Sequence, residues 1–242
     1  MGELADQLST LGWVSDLLVA GSLATGDHVP GVSDLDLVAV VDGPVDPARL
    51  ATLTAVHRRL EEGAGAGAHL GCVYVDRNRR LNRAARHPTW THGAMARRGR
   101  VLSGITRAEL VRHGFAVTGR APSELFPAVS DDDVRNATRA ELAGYWAWAA
   151  RRPWMWLDPP IADLGLTSMA RARHSLTTGE LLTKTGAVEE VDAPGWLRDQ
   201  LRARRRGEDV PSPRMRTAVI AWRDARRTVA LARGGGVAQP AD

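Results

Sequence analysis

The 242-residue sequence holds one cysteine and one lysine, and no apolar run reaches the roughly 18 residues needed to cross a bilayer. Cys72 lies inside an apolar run, which excludes a disulfide framework and a zinc site built on cysteine. Glu3 and Asp6 stand where an export signal would be basic, so the expected location is the cytoplasm, with no membrane anchor. No internal repeat is evident, which sets solenoid architectures aside. Among 32 Lys and Arg residues only Lys184 is lysine, and the formal charge of +4 is too small to argue by itself for a nucleic-acid partner.

What is present suits a folded enzyme, since 44% hydrophobic residues are ample for a buried core. Residues 3–12 read as a short helix, and the apolar run from Trp13 to Ala20 stops at Gly21-Ser22 as a strand does when it meets a turn. Leu35 to Val41 reads as a second, buried strand ended by Asp42-Gly43-Pro44. After Asp46-Pro47, the apolar residues Leu50, Leu53, Val56 and Leu60, joined by His57, recur at helical spacing, and His69 to Val75 is a third strand. From about Trp90 the strand signal fades and helical patterns follow at 109–113, 131–148, 164–178, 196–206 and 214–233. The expectation is an α/β amino-terminal domain with a short mixed sheet over residues 1–108, an all-α carboxy-terminal domain over 109–233, and a disordered tail over 234–242.

One constellation carries chemistry. Gly21-Ser22 closes the first strand, and after eleven intervening positions Asp34-Leu35-Asp36 opens the second. Side chains two apart in a strand point the same way, about 6 to 7 Å apart, which suits two carboxylates sharing divalent ions. Gly21 lets backbone approach a phosphate with no Cβ in the way, and Ser22 offers a hydroxyl and an amide. Asp36 precedes the apolar run Leu37 to Val41, where an unpaired charge would be costly without a function.

Gly21-Ser22 followed by Ser33-Asp34-Leu35-Asp36-Leu37 resembles the nucleotidyltransferase domain of the DNA polymerase β superfamily. More narrowly, the chain resembles bacterial aminoglycoside O-adenylyltransferases that modify streptomycin and spectinomycin, the antibiotic-resistance enzymes. Leu110 to Gly114, Val117, Gly119 and Leu125-Phe126 resemble their domain connector. Leu166-Thr167, Arg171, Ser175-Leu176, Thr178-Gly179 and Lys184 resemble their signature helix and the loop after it.

The resemblance implies that Asp34 and Asp36 hold Mg²⁺, that Gly21 and Ser22 contact the triphosphate of ATP, and that Arg171 and Lys184 reach its phosphates from the helical domain. Arg205 falls near another of the family's nucleotide contacts. Lys184 then has a reason to remain lysine, because an ammonium is a compact point charge where arginine would impose a planar fork. The acceptor is expected between the domains, read by Trp90, Trp154, Asp158 and Asp163. Carboxylates suit an amine-bearing acceptor, and indole faces suit sugar rings and ammonium groups.

The resemblance also implies a third carboxylate, a glutamate general base early on the third strand, and this chain has Gly71 there. His69 lies on the matching face and can accept a proton near neutral pH; Asp158 and Asp163 are the alternatives. The expected function is Mg²⁺-dependent transfer of AMP from ATP to a hydroxyl of a small acceptor such as an aminoglycoside or aminocyclitol. The alternatives are a catalytically weakened homologue that only binds nucleotide or drug, and a transferase acting on a protein or a nucleic-acid end, with nucleic acid the less favoured partner. The sequence leaves the modified hydroxyl and the oligomeric state open.

Overall fold

The computed structural model describes residues 1–234 apart from positions 64, 68, 83, 100, 101 and 103. Most of the tail expected to be disordered, residues 235–242, therefore lies outside the described residues. The chain divides into two compact units, Met1–Val129 and Ser130 onward.

The first unit runs α1 (Gly2–Ser9), β1 (Val14–Val19), α2 (Gly21–Ala24), β2 (Leu35–Val41), α3 (Pro47–Glu62), β3 (Leu70–Asp76), β4 (Arg86–Thr91), β5 (Ala94–Gly99), α4 (Gly104–His113), β6 (Phe115–Thr118) and α5 (Pro122–Leu125). The six strands form one mixed sheet in the order β5-β4-β3-β2-β1-β6. Only β2 and β3 are parallel, and the crossover that such a pair requires is α3. That helix starts where the sequence signals it, with the Asp46 carboxylate accepting the Arg49 N–H at 2.8 Å and Pro47 in the first turn.

Strand alternation divides the core in two. Leu17, Val19, Leu37, Ala39, Val41, Cys72 and Tyr74 pack with Leu4, Leu8, Leu53, Val56 and Leu60 of α1 and α3. Leu18, Val38, Val40 and Val75 pack on the other face with Leu110 of α4 and Leu125 and Phe126. Helices on both faces explain why β2 reads as a continuous apolar run. At the far end of β1, buried Asp16 accepts the Arg120 N–H at 2.8 Å and its guanidinium at 3.0 and 2.8 Å, tying the strand to the chain beyond β6. A side chain on Gly119 would come 2.6 Å from the Asp16 carboxylate, and its φ of 83° also favours glycine.

The second unit is helical throughout. It comprises α6 (Asp131–Glu141), a π-helical turn (Leu142–Trp146), α7 (Ala147–Ala150), a 3-10 turn (Pro153–Leu157), α8 (Pro159–Thr178), α9 (Lys184–Glu189), α10 (Gly195–Arg205) and α11 (Arg214–Gly234). Its core joins Trp156, Leu166, Met169, Leu197, Leu201 and Ala221. Trp156 lies so close under α8 that a Cβ on Gly165 would come 2.2 Å from the indole. Arg173 of α8 bonds Asp224 and Thr228 of α11, each at 2.7 Å, and fixes the two long helices together.

The expected combination of an α/β unit and an all-α unit is borne out. The expectation that strands end before Trp90 is corrected, since β4, β5 and β6 complete the sheet. Their sequences hide them. Arg86-His87-Pro88-Thr89 carries no apolar alternation, and β5 is an exposed edge whose arginines keep it from pairing further.

Candidate active site

The site is built at the start of β2. Gly21 opens α2 directly behind β1 with a φ of 60°, a left-handed conformation that glycine adopts without strain. It also has no room for a side chain, because a Cβ would come 2.2 Å from Oδ2 of Asp36. The turn backbone thus rests on the Asp36 carboxylate. The Ala20 N–H donates to the Asp36 carbonyl at 2.8 Å, fixing the junction of strand and turn. Ser22 follows and is buried, with its carbonyl accepting the Asp27 N–H at 2.8 Å. The loop back to β2 is held by the buried Ser33 hydroxyl, which accepts the Val29 N–H at 3.0 Å.

Asp34 and Asp36 are both exposed. This corrects the reasoning from burial: strand interior begins at Leu37, so the sheet imposes no desolvation cost on Asp36. Both carboxylates stand at the surface of the unit. Two hard oxygen donors match Mg²⁺, which binds through one or two carboxylates and completes its shell with water and phosphate oxygens. Among the described residues no group of three or more His, Cys, Asp or Glu side chains is gathered around one point.

The parallel register explains the missing third acid. Leu35 lies beside Leu70 and Asp36 beside Gly71, so position 71 projects toward the Asp36 carboxylate. A Cβ on Gly71 would meet Asp36 Oδ1 at 3.5 Å and the Leu35 carbonyl at 3.8 Å, both ordinary contacts. His69 precedes β3, is exposed, and accepts the Leu35 N–H on its carbonyl at 2.8 Å, which sets it level with Asp34.

Trp90 does not face a cleft. Its indole is fully buried, stacks on His57 with ring centres 4.8 Å apart, and donates to Glu61 at 2.9 Å. The hint was available in reverse: Trp90 pairs with Cys72 of an interior strand, and the polar neighbours Thr89 and Thr91 masked that position. His57 itself donates to or accepts from the Tyr74 hydroxyl at 2.8 Å, and burial holds its imidazole down at about 4.

In the second unit, the three cations named from the sequence gather around residues 182–185. Arg171 donates to the Leu182 carbonyl at 2.7 Å, and Arg205 donates to the Thr185 hydroxyl at 3.2 Å. Between them, exposed Lys184 begins α9, whose start is fixed by the Thr183 hydroxyl accepting the Gly186 N–H at 3.0 Å. The helix α9 and its Thr183 cap were not anticipated, although threonine is a preferred N-cap residue. The end of α8 is as expected: Gly179 adopts a φ of 81°, a Cβ there would come 2.3 Å from Asp131, and the buried Ser175 hydroxyl donates to the Glu180 carbonyl at 2.7 Å.

The acceptor candidates separate. Trp154 is 64% exposed and Asp158 is exposed, whereas Trp156 belongs to the core. Asp163 is engaged by Arg204 at 2.6 and 2.9 Å, joining α8 to α10. Burial pushes its carboxyl up, with Arg204 opposing that rise.

Residues 1–97 match the family model described as nucleotidyltransferase domain. No curated protein sequence matches the chain. Among solved structures, spectinomycin adenyltransferase AAD(9) from Enterococcus faecialis, crystallised with ATP and spectinomycin, is similar over 94% of this chain and 99% of that one, with 16% identity and a TM-score of 0.69. At that identity the likeness is one of fold. The chain thus matches a nucleotidyltransferase domain model over its first 97 residues and shares its fold with a spectinomycin adenyltransferase.

Proposed function

We propose that this protein transfers AMP from ATP to a hydroxyl of a small amine-bearing acceptor of the aminoglycoside or aminocyclitol class, with Mg²⁺. The observation that carries the reading is the seating of the Gly21 turn on the Asp36 carboxylate, 2.2 Å from where a Cβ would stand, at the mouth of the matched domain. Only glycine permits that approach, and a structural turn would not require an exposed carboxylate beneath it. ATP and spectinomycin in the crystals of the similar fold support the choice of donor and acceptor class.

In this reading Asp34 and Asp36 would hold Mg²⁺, and Gly21 and Ser22 would present backbone and hydroxyl to the triphosphate. Bound Mg²⁺ supplies Lewis-acid polarisation of the phosphoryl oxygens. Arg171, Lys184 and Arg205 supply positive charge for nucleotide phosphate. His69, level with Asp34, takes the proton of the acceptor hydroxyl. Trp154 and Asp158 are the exposed pair suited to an aminated sugar.

Pyrophosphate release with ATP and Mg²⁺ across a panel of aminoglycosides and aminocyclitols tests the reading. Acceptor-dependent release abolished by Asp34→Asn with Asp36→Asn supports it, and release that persists in that double variant refutes the metal assignment. A second reading, a homologue that binds nucleotide or drug without turnover, is favoured by Gly71 alone. ATP binding without release for any acceptor would select it.

A further inference from the structure

Residues 77–107 contain nine arginines and no aspartate or glutamate, within a chain whose net charge is only +4. This run spans the β3–β4 connection, the β4–β5 hairpin and the start of α4. Five of its described arginines line cavities on either side of one buried side chain, His87. A shallow cavity of about 20 Å³ on one side is lined by Arg80, His87 and Arg107, and a second of about 40 Å³ by Arg79, Arg86, His87 and Arg97. Arg98 stands opposite His87 in the hairpin register. Burial together with the charges of Arg79 and Arg97 holds the His87 imidazole below its ordinary range, with Asp76 opposing.

Among the described arginines of the run, Arg77 alone is ion-paired. Arg80, Arg86 and Arg97 donate to backbone carbonyls of Leu125, Arg97 and Val45, which orient a guanidinium and leave its charge intact. Arg79, Arg98 and Arg107 have no side-chain hydrogen bond or ion pair among the described residues, and Nε of Arg107 is buried without a partner. The acids nearby are Asp76 at the rim, Asp42, paired with Arg77 at 3.1 Å, Glu109 two positions beyond Arg107 on α4, and Glu124 next to Leu125. The cavities are too small for a nucleotide, so a ligand must lie across the surface. Asp36 and this patch occupy opposite ends of β2 and β3, about 16 Å apart along an extended strand.

We propose that this end of the sheet binds the phosphate backbone of a double-helical nucleic acid, as a docking surface separate from the transfer site. Guanidinium forks match phosphate oxygens, and no carboxylate in the run repels them. Trp90, the tryptophan of the run, is buried, which leaves the His92 imidazole as the exposed aromatic ring among the described residues of the run and favours a duplex over a single strand.

The test is fluorescence anisotropy of the whole protein with a short DNA duplex across a salt series. Four phosphate contacts predict a log–log salt slope of about −3.6 and roughly a hundredfold loss of affinity for a fourfold rise in salt. The variant Arg79→Gln, Arg98→Gln, Arg107→Gln removes side chains with no internal partner, so it keeps its fold by circular dichroism and reduces the slope by about three. The corresponding lysine variant retains binding, and both variants retain acceptor-dependent pyrophosphate release. Absence of duplex binding at low salt, an unchanged slope in the glutamine variant, or binding to anionic phospholipid vesicles without binding to the duplex each overturns the proposal.

Discussion

At the scale of single residues, two glycines beside Asp36 have opposite characters. Gly21 combines a φ of 60° with a Cβ position 2.2 Å from the carboxylate, so Gly21→Ala must displace Asp36 or reopen the turn. Turnover should fall at least about a hundredfold, with a stability cost of roughly 1–3 kcal/mol; wild-type kcat/KM in that variant would show that the turn is not part of the site. Gly71 has neither constraint, since its φ is ordinary and the atoms nearest to a Cβ there stand at 3.5 Å and beyond. Gly71→Glu is therefore expected to fold normally and to raise turnover roughly tenfold or more by adding a general base beside Asp36. A folded Gly71→Glu protein with unchanged or lower turnover would indicate that proton removal is already served elsewhere. The glycine-serine and Asp-x-Asp pattern was legible because each residue type is dictated locally. Trp90 was not legible, because its burial depends on a strand that polar neighbours disguise.

At the scale of elements, the legible pieces were those with strong periodicity: β2 was read with its observed bounds, and α3 and α8 with their terminal signals. The hairpin β4–β5 was missed because Pro88 and a row of arginines contradict strand propensity, and only pairing to β3 overrides it. The long-range ties were equally invisible, since Asp16 and Arg120 are 104 positions apart. Burial pushes the Asp16 carboxyl up, but hydrogen bonds from Arg120 and Ser15 outweigh it and hold the group at about 2. Asp16→Asn should lower stability by about 2 kcal/mol in urea unfolding at pH 7, and a loss below about 0.5 kcal/mol would contradict the tie. In the helical unit, Gly165→Ala drives a methyl into Trp156 and should cost about 1–3 kcal/mol, read as a lower thermal midpoint and altered tryptophan fluorescence.

At the scale of the whole molecule, two buried groups contribute to the response to acid in the same direction. Asp16 and His57 both have folded values below their ordinary ones, about 2 against 3.8 and about 4 against 6.5. Each therefore contributes stability above its unfolded value that is lost as pH falls. His57 acts first, between about 6.5 and 4, and Asp16 follows from about 4 toward 2. Denaturant midpoints should decline in that order on acidification, with His57→Gln reducing the earlier decline, to which buried His87 also contributes. A midpoint that rises between pH 6.5 and 4 would contradict this assignment.

The proposed role of Asp34 and Asp36 is to bind the metal of a nucleotidyl transfer. It is tested most directly by acceptor-dependent pyrophosphate release from ATP and Mg²⁺, comparing the wild-type protein with Asp36→Asn under matched circular dichroism. Asp36 is exposed and the sheet interior starts after it, so the variant should stay folded while release drops to background. Release that continues at a comparable rate in the folded variant would contradict the account.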